Sequence, residues 1–183
     1  MRFLAEKIKG ADLVQLRDKL SGKETILRDA FLLQKTFLNT DTLFIVNDYL
    51  DIAKITDCDG LHLGQSDVTI EIARRVLGKD KIIGISCHNL KQALDAQGKG
   101  ADYIGFGPIF PTSTKPEGKA IGLGLIKQLK QKLRIPFFII GNINPGNIND
   151  SKAAGATRAA VCSAVLKARN IPTTLRRLKG VLH

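Results

Sequence analysis

Gln15, Arg17 and Lys19 stand at alternate positions of the segment LVQLRDK. Alternate residues of an extended chain share a face, so Leu13, Gln15, Arg17 and Lys19 point one way and Val14 and Leu16 the other. The purely apolar side is the one that meets packed helices, which sends Gln15 and Arg17 inward and toward the mouth of the fold. An unpaired buried guanidinium is costly, so Arg17 requires an anion there, either a protein carboxylate or a bound phosphate. Two carboxylates are placed to converge: Asp48, after the apolar run Thr42–Val46 and Asn47, and Asp67, after Asp59–Leu63. Neighbouring strands lie about 4.8 Å apart. A pair of carboxylates completed by substrate oxygens and waters is a usual way to hold Mg²⁺. Helix capping is the competing and compatible role, with Asn47 or Asp48 before DYLDIAKIT and Asp67 before VTIEIARRV.

His62, between Leu61 and Leu63, reads as a core histidine, since nothing near it supplies a nucleophile. In SCHN, Ser86 either donates to a ligand or caps the helix that starts near Asn89. Cys87 has no adjacent base and reads as packing. The loop GPIFPTSTKPEGKA sets Thr112, Ser113, Thr114 and Lys115 in a row, three hydroxyls and an ammonium suited to an oxyanion. Its prolines Pro108, Pro111 and Pro116 stiffen it, and loops of this length in compact domains are usually functional. The segments GNINPGN and CSAV each open a helix, where free N–H groups and the helix dipole favour a phosphate. GFG at Gly105–Gly107 runs into Pro108 and lacks the third glycine and helix of a dinucleotide fingerprint.

These motifs need elements that deliver them to one end of a sheet. Apolar runs fall at Asp12–Arg17, Thr42–Val46, Asp59–Leu63, Lys81–Ile85, Asp102–Phe106, Pro136–Gly141 and Thr157–Cys162. Helical patterns alternate with them at Lys23–Leu38, Asp48–Thr56, Thr69–Leu77, Asn89–Gln97, Leu123–Leu133, Asn147–Ala154 and Ser163–Leu178. The spacing allows a helical crossover between every pair of strands, hence a parallel sheet. Polar, glycine-rich segments follow every strand. An open doubly wound sheet would concentrate its site at one switch point, whereas a (β/α)₈ barrel uses all its loops at one face. The expectation is a single α/β domain over residues 1–183, a TIM barrel apparently lacking its first β-strand. The chain opens instead with a short helix at Phe3–Lys9. Strands left beside the gap would expose unpaired edges, for which homo-oligomerisation is a remedy.

Composition narrows the partners. The chain has 183 residues, 44% hydrophobic and 25% charged, as in a protein that buries a core. Its longest apolar run, Ile135–Ile140, is far below the roughly 20 residues of a membrane helix. Glu6 and Lys7 interrupt any signal-peptide core, and a cytoplasmic, non-membrane protein is expected. The three cysteines, Cys58, Cys87 and Cys162, are too few and too far apart for a disulfide framework or a zinc site. Twenty-eight basic against 17 acidic residues give a net charge of +11, which favours anionic partners. With no nucleic-acid-binding signature, the expected partners are small phosphorylated molecules and not nucleic acid.

Taken together, QLRDK (Gln15–Lys19), ND (Asn47–Asp48), DGLHLGQSD (Asp59–Asp67), ISCHN (Ile85–Asn89), ADYIGFGPIFPTSTK (Ala101–Lys115) and the IG…AGA…CSAV ending resemble the thiamine-phosphate synthase family. They span nearly the whole chain in order. The resemblance implies a (β/α)₈ barrel and an Mg²⁺-dependent transferase of thiamine biosynthesis. Such an enzyme joins hydroxymethylpyrimidine diphosphate to hydroxyethylthiazole phosphate, giving thiamine phosphate and pyrophosphate. It implies that Gln15, Arg17, Lys19, Asn47, Ser86 and Lys115 bind the pyrimidine diphosphate, that Leu16 and Asp18 are among the substrate-binding residues, and that Asp48 and Asp67 hold Mg²⁺. Thr112, Ser113, Thr114, Asn142, Cys162 and Ser163 would hold the thiazole phosphate. Arg17, Lys19 and Lys115 would carry catalysis by stabilising the departing pyrophosphate. Two glycines usually stand in the family where this chain has Gly141-Asn142, so a side chain is expected to crowd the thiazole phosphate. The related thiazole tautomerase and a non-catalytic phosphate-ligand binder are the alternatives. QLRDK and PTSTK favour the synthase, since a tautomerase need not bind a diphosphate.

Overall fold

The computed structural model describes residues 2–112 and 119–182. Contacts gather in two compact units, Met1–Gly84 and Ile85–His183. The first contains α1 (Arg2–Lys7), β1 (Leu13–Leu16), α2 (Lys23–Phe37), β2 (Leu43–Asn47), α3 (Leu50–Thr56), β3 (Gly60–Leu63) and α4 (Ile70–Leu77), and β4 (Ile82–Cys87) carries the boundary. The second continues with α5 (Leu90–Gly98), β5 (Tyr103–Phe106), α6 (Ile126–Lys132), β6 (Phe137–Ile140), α7 (Ile148–Ala153), β7 (Ala159–Ala160), α8 (Ser163–Leu166) and α9 (Ile171–Leu182). The seven described strands have hydrogen-bonded neighbours in chain order, so β-α alternation is the plan throughout, as expected.

In the first unit β1 pairs parallel with β2 in the register Leu13↔Leu43 to Leu16↔Val46, and β2 with β3 from Ile45↔Gly60 to Asn47↔His62. Phe44, Ile45 and Val46 are fully buried, as are Leu61 and Leu63. Such near-continuous apolar strands are what a parallel sheet with both faces covered requires. α2 lays Ile26, Ala30, Leu33 and Phe37 on that core, a spacing of three and four residues that keeps one helical face inward. Phe37 meets the Phe44 ring at 6.4 Å between centroids. Thr69 caps α4 by accepting from the Ile72 amide at 3.3 Å.

In the second unit β5 pairs parallel with β6, and β6 with β7. All four residues of β5 are buried, and Tyr103 packs edge-on against Phe138 at 5.5 Å. Asn89 caps α5 through Gln92 N at 2.9 Å. Capping therefore falls to Asn89 and not to Ser86.

Two expectations are corrected. The strand read at Thr157–Cys162 contracts to Ala159–Ala160. It has no large apolar side chain to bury, and Cys162 leaves extended geometry at φ −116°, ψ −85°. The helix read over Ser163–Leu178 is two helices, Ser163–Leu166 and Ile171–Leu182. Pro172 has no N–H for an interior helical bond and disfavours helical geometry in the residue before it. Asn170 restarts the chain by accepting from Thr173 N at 3.1 Å.

Candidate functional site

The first unit assembles its polar residues on loops that follow β1, β2 and β3. Val14 and Leu16 are buried while Gln15 lies on the opposite face of β1, with Arg17 just past its end. The alternation is as read from sequence, and it turns the Leu16 side chain away from the face of Gln15 and Arg17. Gln15 and Arg17 are exposed, however. The supposed burial of the guanidinium, and with it the need for a desolvated counter-ion, is corrected: Arg17 is a solvated cation. Just beyond, Asp18 folds its carboxylate back on the chain, accepting from Leu20 N at 2.8 Å and Ser21 N at 3.0 Å. The Ser21 side chain first, and then those two amides, hold the Asp18 carboxyl below its ordinary range. Lys19 is thereby carried on a fixed turn, and its ammonium pairs with Asp48 Oδ2.

Asn47 is the buried last residue of β2. Asp48 follows it with φ +66°, a left-handed conformation that Asn and Asp tolerate better than most residues but that remains uncommon. Its amide donates to His62 O at 2.8 Å, and Tyr49 N donates to Asn47 O at 2.8 Å. The Asp48 amide extends the β2–β3 pairing by one bond, and the chain leaves extended geometry at Asp48 itself. Such a strained residue is typical of a site that over-determines its geometry. Tyr49, not Asn47 or Asp48, is the residue that precedes α3, and it makes no side-chain cap. The capping alternative therefore fails for Asp48. It fails for Asp67 as well, because Thr69 caps α4. Asp67 Oδ2 instead accepts from Gly64 N at 2.6 Å, closing the GQSD turn on itself.

The two carboxyls lie close enough to act on each other's charge. Burial works against the charge on Asp48, but the Lys19 and Asp67 hydrogen bonds and the charges of Lys19 and Arg17 outweigh it and hold its carboxyl below the usual range. Burial raises the Asp67 carboxyl; the Gly64 amide opposes the shift, and the hydrogen bond and charge of Asp48 add to it. The neighbouring cations thus favour charge on Asp48, while burial and the Asp48 charge disfavour it on Asp67. Arg17, Lys19, Asp48 and Asp67 form one electrostatic cluster. Two hard carboxylates suit Mg²⁺, which characteristically uses one or two carboxylates plus substrate oxygens. Among the described residues no group of three or more His, Cys, Asp or Glu gathers for a metal held by protein alone.

In the second unit Ser86 is half-buried on β4. Cys87 is buried and its thiol is pushed up to about 12 by burial, with the Asp95 charge adding to it. It is inert packing, as read from the sequence. His88 is a feature the sequence did not disclose: its Nδ1 lies 2.5 Å from Gly107 O and its amide donates to Gln92 Oε1 at 2.7 Å. A Cβ on Gly107 would come within 2.1 Å of Ile140 O, so glycine lets this loop lie against the end of β6. Thr112 is half-buried there. Ser113, Thr114 and Lys115 lie outside the described residues.

Gly141 has φ +107° and would set a Cβ 2.6 Å from Pro108 Cα. Asn142 follows at φ +51° and is exposed. Its carbonyl accepts from Asn144 Nδ2 at 3.0 Å and Asn147 Nδ2 at 2.9 Å. Asn147 Oδ1 accepts from Asn144 N at 2.9 Å, and Asn144 Oδ1 from Gly146 N at 2.8 Å. The loop therefore uses these amides for its own stitching, which leaves fewer for an anion than the motif suggested. Cys162 and Ser163 are exposed where α8 begins, and that helix is one turn long, so its dipole is short.

Parallel β-α units ending in an acidic pair, a lysine on a fixed turn and glycine-bearing loops define an α/β protein of the TIM-barrel kind. Comparison with known sequences and structures makes the class particular. The sequence model of thiamine monophosphate synthase matches residues 2–165. The chain belongs to that family. It is 42% identical over 173 residues to thiamine-phosphate synthase of Methanocella arvoryzae, covering 94% of this chain and 82% of the relative. It is 41% identical to that of Shouchella clausii over 95% of this chain and 84% of the relative. Thiamine phosphate pyrophosphorylase from Pyrococcus furiosus superposes with a TM-score of 0.87 at 33% identity, covering 99% of this chain and 86% of that one. A 3-hexulose-6-phosphate synthase shares the fold at a TM-score of 0.68 and 16% identity.

Proposed function

We propose that this chain is a thiamine-phosphate synthase that condenses hydroxymethylpyrimidine diphosphate with hydroxyethylthiazole phosphate, releasing pyrophosphate. We carry the eight-stranded barrel plan over as part of that reading; parallel strands in chain order support it. The observation that carries the function is the Arg17–Lys19–Asp48–Asp67 cluster, set on the motifs that define the family. In the reaction the bond between the pyrimidine methylene and the diphosphate oxygen breaks. The electron pair leaves with pyrophosphate, and the thiazole nitrogen supplies the pair that forms the new C–N bond. No side-chain nucleophile and no general base is required. What the protein must supply is stabilisation of charge building on the leaving group.

Arg17 is an exposed cation and Lys19 a half-exposed one paired with Asp48, and they bind and orient the diphosphate. Gln15, Asn47 and Ser86 bind the same substrate by hydrogen bonds, and Lys115 is assigned with them. Asp18 shapes the turn that presents Lys19. Asp48 and Asp67 hold Mg²⁺, which when bound neutralises diphosphate charge and polarises its oxygens. The thiazole phosphate falls to Thr112, Ser113, Thr114, Asn142, Cys162 and Ser163. A thiazole tautomerase would have little use for a turn that delivers lysine to a carboxylate pair. Purified protein given both substrates and Mg²⁺ is expected to form thiamine phosphate and pyrophosphate in equal amounts, and to stop when a chelator is in excess. No product with Mg²⁺ would overturn the function, and undiminished product with chelator would overturn the metal.

A further inference from the structure

We propose that Lys19 is a built-in stand-in cation for the Asp48–Asp67 pair, and that its transfer from Asp48 to the diphosphate couples metal binding to diphosphate binding. The inference rests on the reading of these two carboxylates as the metal-holding pair.

The acidic side of the contact is stiff. Asp48 is fixed by its φ of +66° and by the bond from its amide to His62 O at 2.8 Å. Its carboxyl lies beside that of Asp67, which itself accepts from Gly64 N at 2.6 Å. The cationic side is free to swing. The Asp48 side chain is 15% exposed and that of Lys19 is 50% exposed. Asp18 clamps the backbone beside Lys19, so only the flexible four-carbon stem has to move.

A dication needs the Asp48 oxygen that the ammonium occupies. Arriving alone, it must evict Lys19 and then sit beside an unpartnered positive charge, with Arg17 adding to the repulsion. Arriving with a diphosphate, it brings phosphate oxygens that accept the displaced ammonium. Metal alone is therefore held weakly, and metal and diphosphate assist each other. Such coupling is reciprocal by linkage. The same movement places Lys19 on the leaving group only once the metal has taken Asp48.

The test is binding of Mn²⁺ alone, followed by the electron paramagnetic resonance signal of the free ion, with Mn²⁺-saturated inorganic pyrophosphate in a second titration. Lys19→Met is expected to bind Mn²⁺ alone about tenfold more tightly than the unaltered protein, and to bind Mn²⁺-pyrophosphate more weakly. Lys19→Arg keeps the cation and is expected to leave the Mn²⁺ affinity near its original value. Unchanged or weaker Mn²⁺ binding in Lys19→Met overturns the proposal while leaving the carboxylate reading intact. Adding Asp67→Asn to Lys19→Met should abolish the gain. If the gain survives in that double variant, or if no variant binds Mn²⁺, the carboxylate reading itself fails and the proposal with it.

Discussion

Asn142 shows how far residue type alone carries an argument. It occupies a left-handed position at φ +51° and keeps its side chain exposed, which accords with the tolerance of Asn for that region. On the proposed reading its side chain crowds the approach of the thiazole phosphate to the backbone. Asn142→Gly frees that approach and suits the positive φ. Its carbonyl still accepts from Asn144 and Asn147. The variant is expected to lower the KM for the thiazole phosphate by severalfold and to leave that for the pyrimidine diphosphate unchanged; steady-state kinetics with each substrate varied in turn would show it, and an unchanged thiazole KM would reject crowding. At this scale much of the site was legible. Alternation in LVQLRDK separated Gln15 and Arg17 from Leu16, and strand spacing foretold the meeting of Asp48 with Asp67. The roles of Asp18 and of the His88 ring were not legible. Both depend on a carboxylate or imidazole finding backbone groups in turns whose dihedrals no residue pattern specifies. For Asp18 the following Ser21-Gly22 was a usable signal, since short polar side chains there favour Asx turns.

At the scale of elements, two loops rest on glycines that meet other backbone. Gly141 combines φ +107° with a Cβ position 2.6 Å from Pro108 Cα and 2.9 Å from Ile109 N. The Gly107–Phe110 segment is bonded to the same place, with Ile109 N on Ile140 O at 2.8 Å and Phe110 N on Gly141 O at 3.3 Å. A methyl group at Gly141 must therefore distort a left-handed backbone and push two chain segments apart. Gly141→Ala is expected to cost at least about 2 kcal/mol, read as a lowered denaturant midpoint. The helices α2, α4 and α5 were read within a residue at each end, as the spacing of Ile26, Ala30, Leu33 and Phe37 in α2 admits no other face, whereas α6 begins three residues later than read. The weak elements were misread for a common reason. β7 offers only alanines to the sheet, and the tail was read as one helix although Pro172 cannot sit in a helix interior. A short apolar run is ambiguous between strand and turn until its partners are known.

For the whole molecule the dominant sequence-level quantity is the net charge of +11, spread over many lysines, against substrates that are all anionic. Such a field steers encounter more than it holds the bound complex. It acts through exposed charges, which salt screens: the Debye length falls from about 10 Å at 0.1 M to about 3 Å at 1 M. kcat/KM for both substrates is expected to fall by severalfold across that range while kcat changes little, and stopped-time assays at constant Mg²⁺ would check it. The fold class and the family were legible because motifs and elements agree over nearly the whole chain, matching residues 2–165 of it. The measurement that bears most directly on the account is Asp67→Asn assayed with each substrate. Asn keeps an oxygen able to accept from Gly64 N and removes the second carboxylate, so the turn should survive while the metal pair does not. The account predicts that kcat/KM for the pyrimidine diphosphate falls by about 10–100-fold or more, with the calorimetric affinity for thiazole phosphate unchanged. Full activity at the same Mg²⁺ concentration, or a loss confined to thiazole-phosphate binding, would contradict it.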